Sequence, residues 1–173
     1  MTKAVDSARR RLITLRRAPV PLTVRPPWTH EASVRDACSG CGACVSACPE
    51  NIILLDGQGY PALDFRKAEC TFCGRCADAC AESVFVCRDE APFSHGVTIG
   101  SACLAIRGIA CESCADLCPE SAISFRFRIG GPPVPSVADS RCSGCGACIA
   151  GCPASAILPE PRAAVVHPEV RND

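Results

Sequence analysis

The run Cys38-Ser-Gly-Cys41-Gly-Ala-Cys44-Val-Ser-Ala-Cys48-Pro49, or C-x2-C-x2-C-x3-C-P, restricts the fold more tightly than any other stretch of the chain. Three thiols at a spacing of three can point to three corners of one cube, which is the ligand spacing of a [4Fe–4S] cluster. The small residues between them, Ser39, Gly40, Gly42 and Ala43, let the backbone wrap closely and turn N–H groups toward the sulfurs. The fourth cysteine, just before proline, turns away and reaches a neighbouring cluster. One such run therefore implies another.

There are four. The second is Cys70-x2-Cys73-x2-Cys76-x3-Cys80, with Ala81 where proline is usual; the turn at Cys80 is weakened, but no ligand is lost. The third is irregular, Cys103-x7-Cys111-x2-Cys114-x3-Cys118-Pro119, because Leu104 to Ala110 lengthen the loop after the first thiol. The fourth, Cys142-x2-Cys145-x2-Cys148-x3-Cys152-Pro153, is regular. These sixteen cysteines are the candidate cofactor and metal ligands, enough for four [4Fe–4S] clusters. Four are expected. Were Cys103 not a ligand, the third site would hold a three-iron or labile cluster, leaving three complete ones. Cys87, the seventeenth cysteine, stands outside the runs and reads as a small buried apolar side chain.

Two other uses of cysteine compete with this reading. A disulfide-stapled secreted chain is disfavoured by the odd number of cysteines, by the lack of a secretory leader and by the fourfold spacing. Zinc sites combine two separated pairs rather than four thiols in one run. Clusters need reduced thiols, which points to the cytoplasm. Leu, Ile, Val and Phe number only 38 of 173 residues, a thin supply for a core, so metal ligation should contribute much of the folding free energy.

Charge is unevenly spread. Residues 1–30 carry seven basic side chains against the single acid Asp6, whereas the remainder carries eleven bases and seventeen acids. A basic arm on an acidic body suggests an interaction tail. Nucleic-acid binding is not indicated, because the basic run is short and lacks interleaved aromatics. The arginines of Ser7-Ala-Arg9-Arg10-Arg11 are followed by only Leu12-Ile-Thr-Leu15 before Arg16, Arg17 and four prolines, so no export signal or stable membrane insertion is expected.

Each cysteine loop should lead into a short helix and then a strand. Strands are expected at 51–55, 61–65, 83–86, 97–99, 121–127 and 134–137, with turns at Asp56-Gly-Gln-Gly59 and Gly130-Gly-Pro-Pro133. The expected fold is α+β: bacterial two-[4Fe–4S] ferredoxin-like units in tandem or nested, with short helices, β-hairpins and a flexible basic N-terminal arm. Its divisions are a Pro-rich arm at 1–30, units at 31–92 and 93–158, and a flexible tail at 159–173. In the tandem pairing Cys80 joins the first run, Cys48 the second, Cys152 the third and Cys118 the fourth. The nested pairing, one with four and two with three, is suggested by the shared Cys-Ser-Gly-Cys-Gly-Ala-Cys of runs one and four. His30, His95 and His167 lie away from cysteines and acids at ligand spacing and read as surface residues.

No Ser/His/Asp set, paired catalytic carboxylates or phosphate-cradling glycine loop stands out. Full thiolate ligation leaves one-electron transfer as the natural activity, so the chain reads as an electron-transfer or accessory protein rather than an enzyme.

Several further segments are distinctive: Ser7-Ala-Arg-Arg-Arg-Leu-Ile13, Arg25-Pro-Pro-Trp28, Gly59-Tyr-Pro61, Thr98-Ile-Gly-x-Ala-Cys-Leu104 and the C-x7-C spacing itself. In these the chain resembles the NapF family, ferredoxin-type accessory proteins of the periplasmic nitrate reductase system. The resemblance implies a cytoplasmic protein acting on the precursor of the catalytic molybdoenzyme subunit before export. Its implied role is cluster assembly or redox activation of that subunit, with the sixteen motif cysteines as the functional residues. The alternative is a general electron-transfer ferredoxin or the iron–sulfur subunit of an oxidoreductase complex.

Overall fold

The computed structural model describes residues 22–86 and 88–162. The arginine-rich start, Cys87 and His167 lie outside the described residues. The first unit contains helices α1 (Glu31–Ala37) and α2 (Ala43–Ala47), strands β1 (Ile53–Leu55) and β2 (Pro61–Leu63), and helix α3 (Arg75–Asp78). The second contains β3 (His95–Ile99), α4 (Ser113–Asp116), β4 (Ile123–Arg126), β5 (Val134–Val137), α5 (Ala147–Ala150) and β6 (Ile157–Pro161). Among the described residues no helix is long and apolar enough to cross a membrane.

The strands are short because each only bridges two cysteine loops. β1 and β2 pair antiparallel with Ile53 opposite Leu63 and Leu55 opposite Pro61. Asp56 closes their turn by accepting the N–H groups of Gln58 and Tyr60 at 2.9 and 3.0 Å, an Asx turn. β4 and β5 form the equivalent hairpin, Ile123 opposite Val137. Each unit is also closed by the segments that enter and leave it. In the second, β3 pairs with β6 over five positions, Ile99 opposite Ile157. In the first, the closure is one bridge between Thr29 and Phe85, so the strand expected at 83–86 is reduced to a single pairing. The expected tail begins three residues too early, since Pro159, Glu160 and Pro161 lie within β6. The two prolines are tolerated because β6 pairs on one side only.

The segment before the first cysteine is packed down rather than trailing. Val24 is buried, and its carbonyl accepts the Leu63 N–H at 2.8 Å. The Arg25 guanidinium meets Glu31 and Asp56, each at 2.8 Å, donates to the Pro61 carbonyl at 3.0 Å and lies over the Tyr60 ring. Arg25-Pro-Pro-Trp28 and Gly59-Tyr-Pro61, separate in sequence, thus form one clamp. Arg25 contributes its charge here and not to a free arm.

One core runs through both units: Val24, Ile52, Ile53 and Phe65 from the first join Phe93, Val97, Ile123, Ile149 and Ile157 around the second. At the junction Phe65 and Phe93 meet edge to face, with centroids 6.1 Å apart. The Cys70 N–H donates to the Cys145 carbonyl at 2.8 Å, tying the second and fourth cysteine loops directly.

Candidate metal centres

The sixteen motif cysteines are all free thiols, and the fold gathers them in fours. One cavity is ringed by Cys38, Cys41, Cys44 and Cys80. A second is ringed by Cys48, Cys70, Cys73 and Cys76, and a third by Cys118, Cys142, Cys145 and Cys148. Of the remaining four, Cys103 and Cys152 pack in one small cluster, and the Cys114 thiol is raised by burial and by the neighbouring Cys103, Cys152 and Cys111. The three cavities match the tandem grouping, with Cys80, Cys48 and Cys118 each lining the cavity of its partner loop.

Backbone conformation explains how a run of eleven residues can aim thiols in two directions. In runs one, two and four the residues on both sides of the second cysteine are left-handed: Gly40 and Gly42, Phe72 and Gly74, Gly144 and Gly146, with φ between 54° and 87°. Each pair curls the loop around its cavity and starts the helix that follows. The fourth cysteine is redirected by a second device. Asn51, Ser121 and Ser155, each third after a Cys-Pro cysteine, are left-handed and donate their N–H to that cysteine's carbonyl at 3.0–3.1 Å. Ala81 replaces the proline in run two, and there the turn changes: Val84 N–H donates to the Glu82 carbonyl at 2.8 Å instead. Cys80 still lines its cavity.

The third run uses neither left-handed neighbour, since Glu112 has φ −127° and Ala110 is not left-handed. Its insert instead forms a tight turn in which Arg107, Ile109 and Gly108 N–H groups donate to the Cys103, Leu104 and Ala105 carbonyls. That turn buries Cys103 beside Ala105, Ala156 and Cys152. Seven intervening residues therefore do not carry Cys103 away from the other thiols.

The electrostatics fit a cationic cluster. Burial pushes the Cys70 and Cys114 thiols up to about 11, and Cys76 and Cys148 to about 12, with neighbouring cysteines adding to the rise. Burial also raises Cys44, aided by Cys38 and Cys80. Four thiolates crowded in one apolar pocket repel one another, so only a strongly binding cationic centre would hold them ionised. Several N–H groups already face sulfur: Gly40 to Cys38, Ala122 to Cys118 and Ala156 to Cys152, at 3.2–3.4 Å. Among the described residues, no three His, Cys, Asp or Glu side chains converge closely enough for a single metal ion.

One functional neighbour escapes the sequence reading. His95 is not a surface residue but only 4% exposed. Its Nε2 lies 3.0 Å from the Gly144 carbonyl inside the fourth loop, and its ring packs on Phe93 and Phe65. Burial holds it down to about 4, so the ring is neutral and donates from Nε2. Phe93, His95 and Val97 alternate along one inward row, and that period of two was the available signal. Arg162 supports the same loop through the Cys142 carbonyl.

Comparison with known proteins agrees with this geometry. A 4Fe-4S dicluster domain matches residues 37–84 and 108–156, spanning fifteen of the sixteen cysteines and starting after Cys103. The chain is 47% identical to a ferredoxin-type protein NapF of Haemophilus influenzae over 135 residues, covering 78% of this chain and 77% of that protein. With a ferredoxin-type protein NapF of Escherichia coli it shares 41% identity over 157 residues, 90% of this chain and 96% of the relative. A methylamine utilization ferredoxin-type protein MauM of Methylobacillus flagellatus is 30% identical over 82% of this chain and 68% of its own length. The relatives are ferredoxin-type iron–sulfur proteins rather than enzymes, and the chain belongs to the ferredoxin-type NapF family of 4Fe-4S dicluster-domain proteins.

Proposed function

We propose that the sixteen cysteines bind four [4Fe–4S] clusters, one per group of four, and that the protein serves the maturation of a partner enzyme. Such clusters supply one-electron transfer when bound. Around them the chain provides thiolates, N–H donors and apolar walls. The partner is the catalytic molybdoenzyme subunit of periplasmic nitrate reductase, met as its precursor in the cytoplasm before export. The support for this partner is kinship with the NapF proteins across most of the chain. The observation that supports the cofactor assignment is the gathering of twelve free thiols around three cavities, four to each, with Cys103, Cys111, Cys114 and Cys152 left as the fourth set.

The MauM relative, whose name ties it to methylamine utilization, favours a second reading in which the same body is a general electron carrier. An anaerobic pull-down with a C-terminally tagged chain separates the two. Recovery of the unexported nitrate reductase precursor, without its mature form, is the expected result. Recovery of membrane oxidoreductase subunits or soluble reductases instead would overturn the maturation reading. Trimming residues 1–21 tests the basic arm: partner binding should weaken while iron content stays unchanged.

A further inference from the structure

Phe127 and Ile129 are the most exposed large apolar side chains among the described residues, at 86% and 93%. They stand just beyond β4, on the loop that returns through Gly130-Gly-Pro-Pro133 to β5. Along β4 the alternate residues Ile123 and Phe125 pack into the core. Phe127 continues that row past the point where the core ends. Arg126 and Arg128 alternate with the two apolar residues, and neither forms an ion pair with another described residue. Uncommitted arginines are notable here, because beyond residue 30 acids outnumber bases seventeen to eleven.

We propose that the β4–β5 hairpin tip is a membrane-contact point, placing Phe127 and Ile129 in the interface of an anionic lipid surface while Arg126 and Arg128 meet its phosphates. A protein interface sets its apolar residues in a packed patch with a polar rim. This tip offers no patch or groove, only two protruding side chains with cations beside them. A fluid interface accepts such side chains without shape complementarity, and anionic headgroups reward nearby Arg. Two side chains and two cations give reversible, peripheral contact rather than anchoring. The tip belongs to the second unit and leaves the cysteine cavities untouched, so the proposal stands apart from the choice of protein partner.

The test is anaerobic co-sedimentation of the iron-loaded full chain with vesicles of phosphatidylglycerol and phosphatidylcholine, against phosphatidylcholine alone. Binding is expected only to the anionic vesicles, weakening as salt rises. The double substitution F127S/I129S keeps every charge, including those of the N-terminal arm, and should weaken binding by about tenfold or more. R126Q/R128Q should weaken it by about fivefold or more. Both pairs sit on an exposed tip, so iron content should match the parent. Equal binding by F127S/I129S and parent would assign the contact to the basic arm and overturn the proposal. Failure to bind anionic vesicles, with the tip protected from hydrogen exchange only when a protein partner is added, would overturn it in favour of a protein interface.

Discussion

Gly146 lies against Phe65 of the other unit, and Gly146→Ala measures that contact. Its φ is +87°, in the left-handed region, and a Cβ there would overlap the Phe65 ring of the first unit. The conformation alone costs an alanine about 1–2 kcal/mol. Phe65 is 4% exposed and wedged against Phe93 and His95, so it cannot swing clear, and overpacking of this kind adds about 1–3 kcal/mol. Gly42→Ala is the matched control: it holds the same place in run one, with φ +75°, and its Cβ would meet nothing within 4 Å. The difference between the two variants isolates the inter-unit contact at about 1–3 kcal/mol. The assay is the half-life of visible cluster absorbance during anaerobic heating, because loss of clusters makes unfolding irreversible. Gly146→Ala should shorten that half-life by about fivefold to a hundredfold more than Gly42→Ala. Adding Phe65→Leu to Gly146→Ala should recover part of the loss, since the residues are in contact. Equal half-lives for the two glycine variants would refute the idea that the units bear on each other here.

Three other perturbations follow from the same contacts. Arg25→Ala should cost about 2–3 kcal/mol in denaturant titration, mostly through the partly buried Asp56 and the Pro61 carbonyl left unpaired. Hydrogen bonding to Arg25 holds Glu31 down to about 2 and also lowers Asp56. These carboxylates therefore stabilise fully above their ordinary values near 4.5 and 3.8, and the contribution is lost as pH falls below those values, for Glu31 down to about 2. Arg25→Ala should flatten that acid limb, by under about 1 kcal/mol for half-exposed Glu31. His95→Phe removes the donor to the Gly144 carbonyl and should cost about 1–2 kcal/mol. Because burial depresses His95 to about 4 from 6.5, the parent should lose stability as pH falls through that window. His95→Phe should lack that slope; an unchanged slope would place its origin elsewhere. Cys41→Ser should lower iron content by about a quarter and reduce partner activation together, as measured by iron assay and nitrate reductase activity.

Much of this was legible because cysteine spacing is a strict geometric code. The runs at Cys38, Cys70 and Cys142 foretell short helices and hairpins, and the Asp56 turn and the β1, β4 and β5 strands follow from local turn chemistry and alternation. What stayed hidden depends on distant contacts. Nothing within Arg25-Pro-Pro-Trp28 says that its arginine reaches Asp56 and Pro61, since that clamp forms only after β1 and β2 pair. Pro159 and Pro161 argue for a loose tail until β3 supplies a partner on one edge. Ser83–Val86 has strand composition, yet the only strand partner it meets among the described residues is Thr29, which leaves one bridge. His95 looked solvent-facing because its neighbours were judged by ligand spacing, whereas its row with Phe93 and Val97 marks it as inward.

Four complete cluster sites built from sixteen cysteines, the irregular third included, would hold about sixteen iron atoms. This occupancy is tested most directly by counting iron and acid-labile sulfide in the anaerobically prepared full-length protein. About sixteen of each per chain are expected. A result near twelve, or zinc in place of iron, would contradict that occupancy.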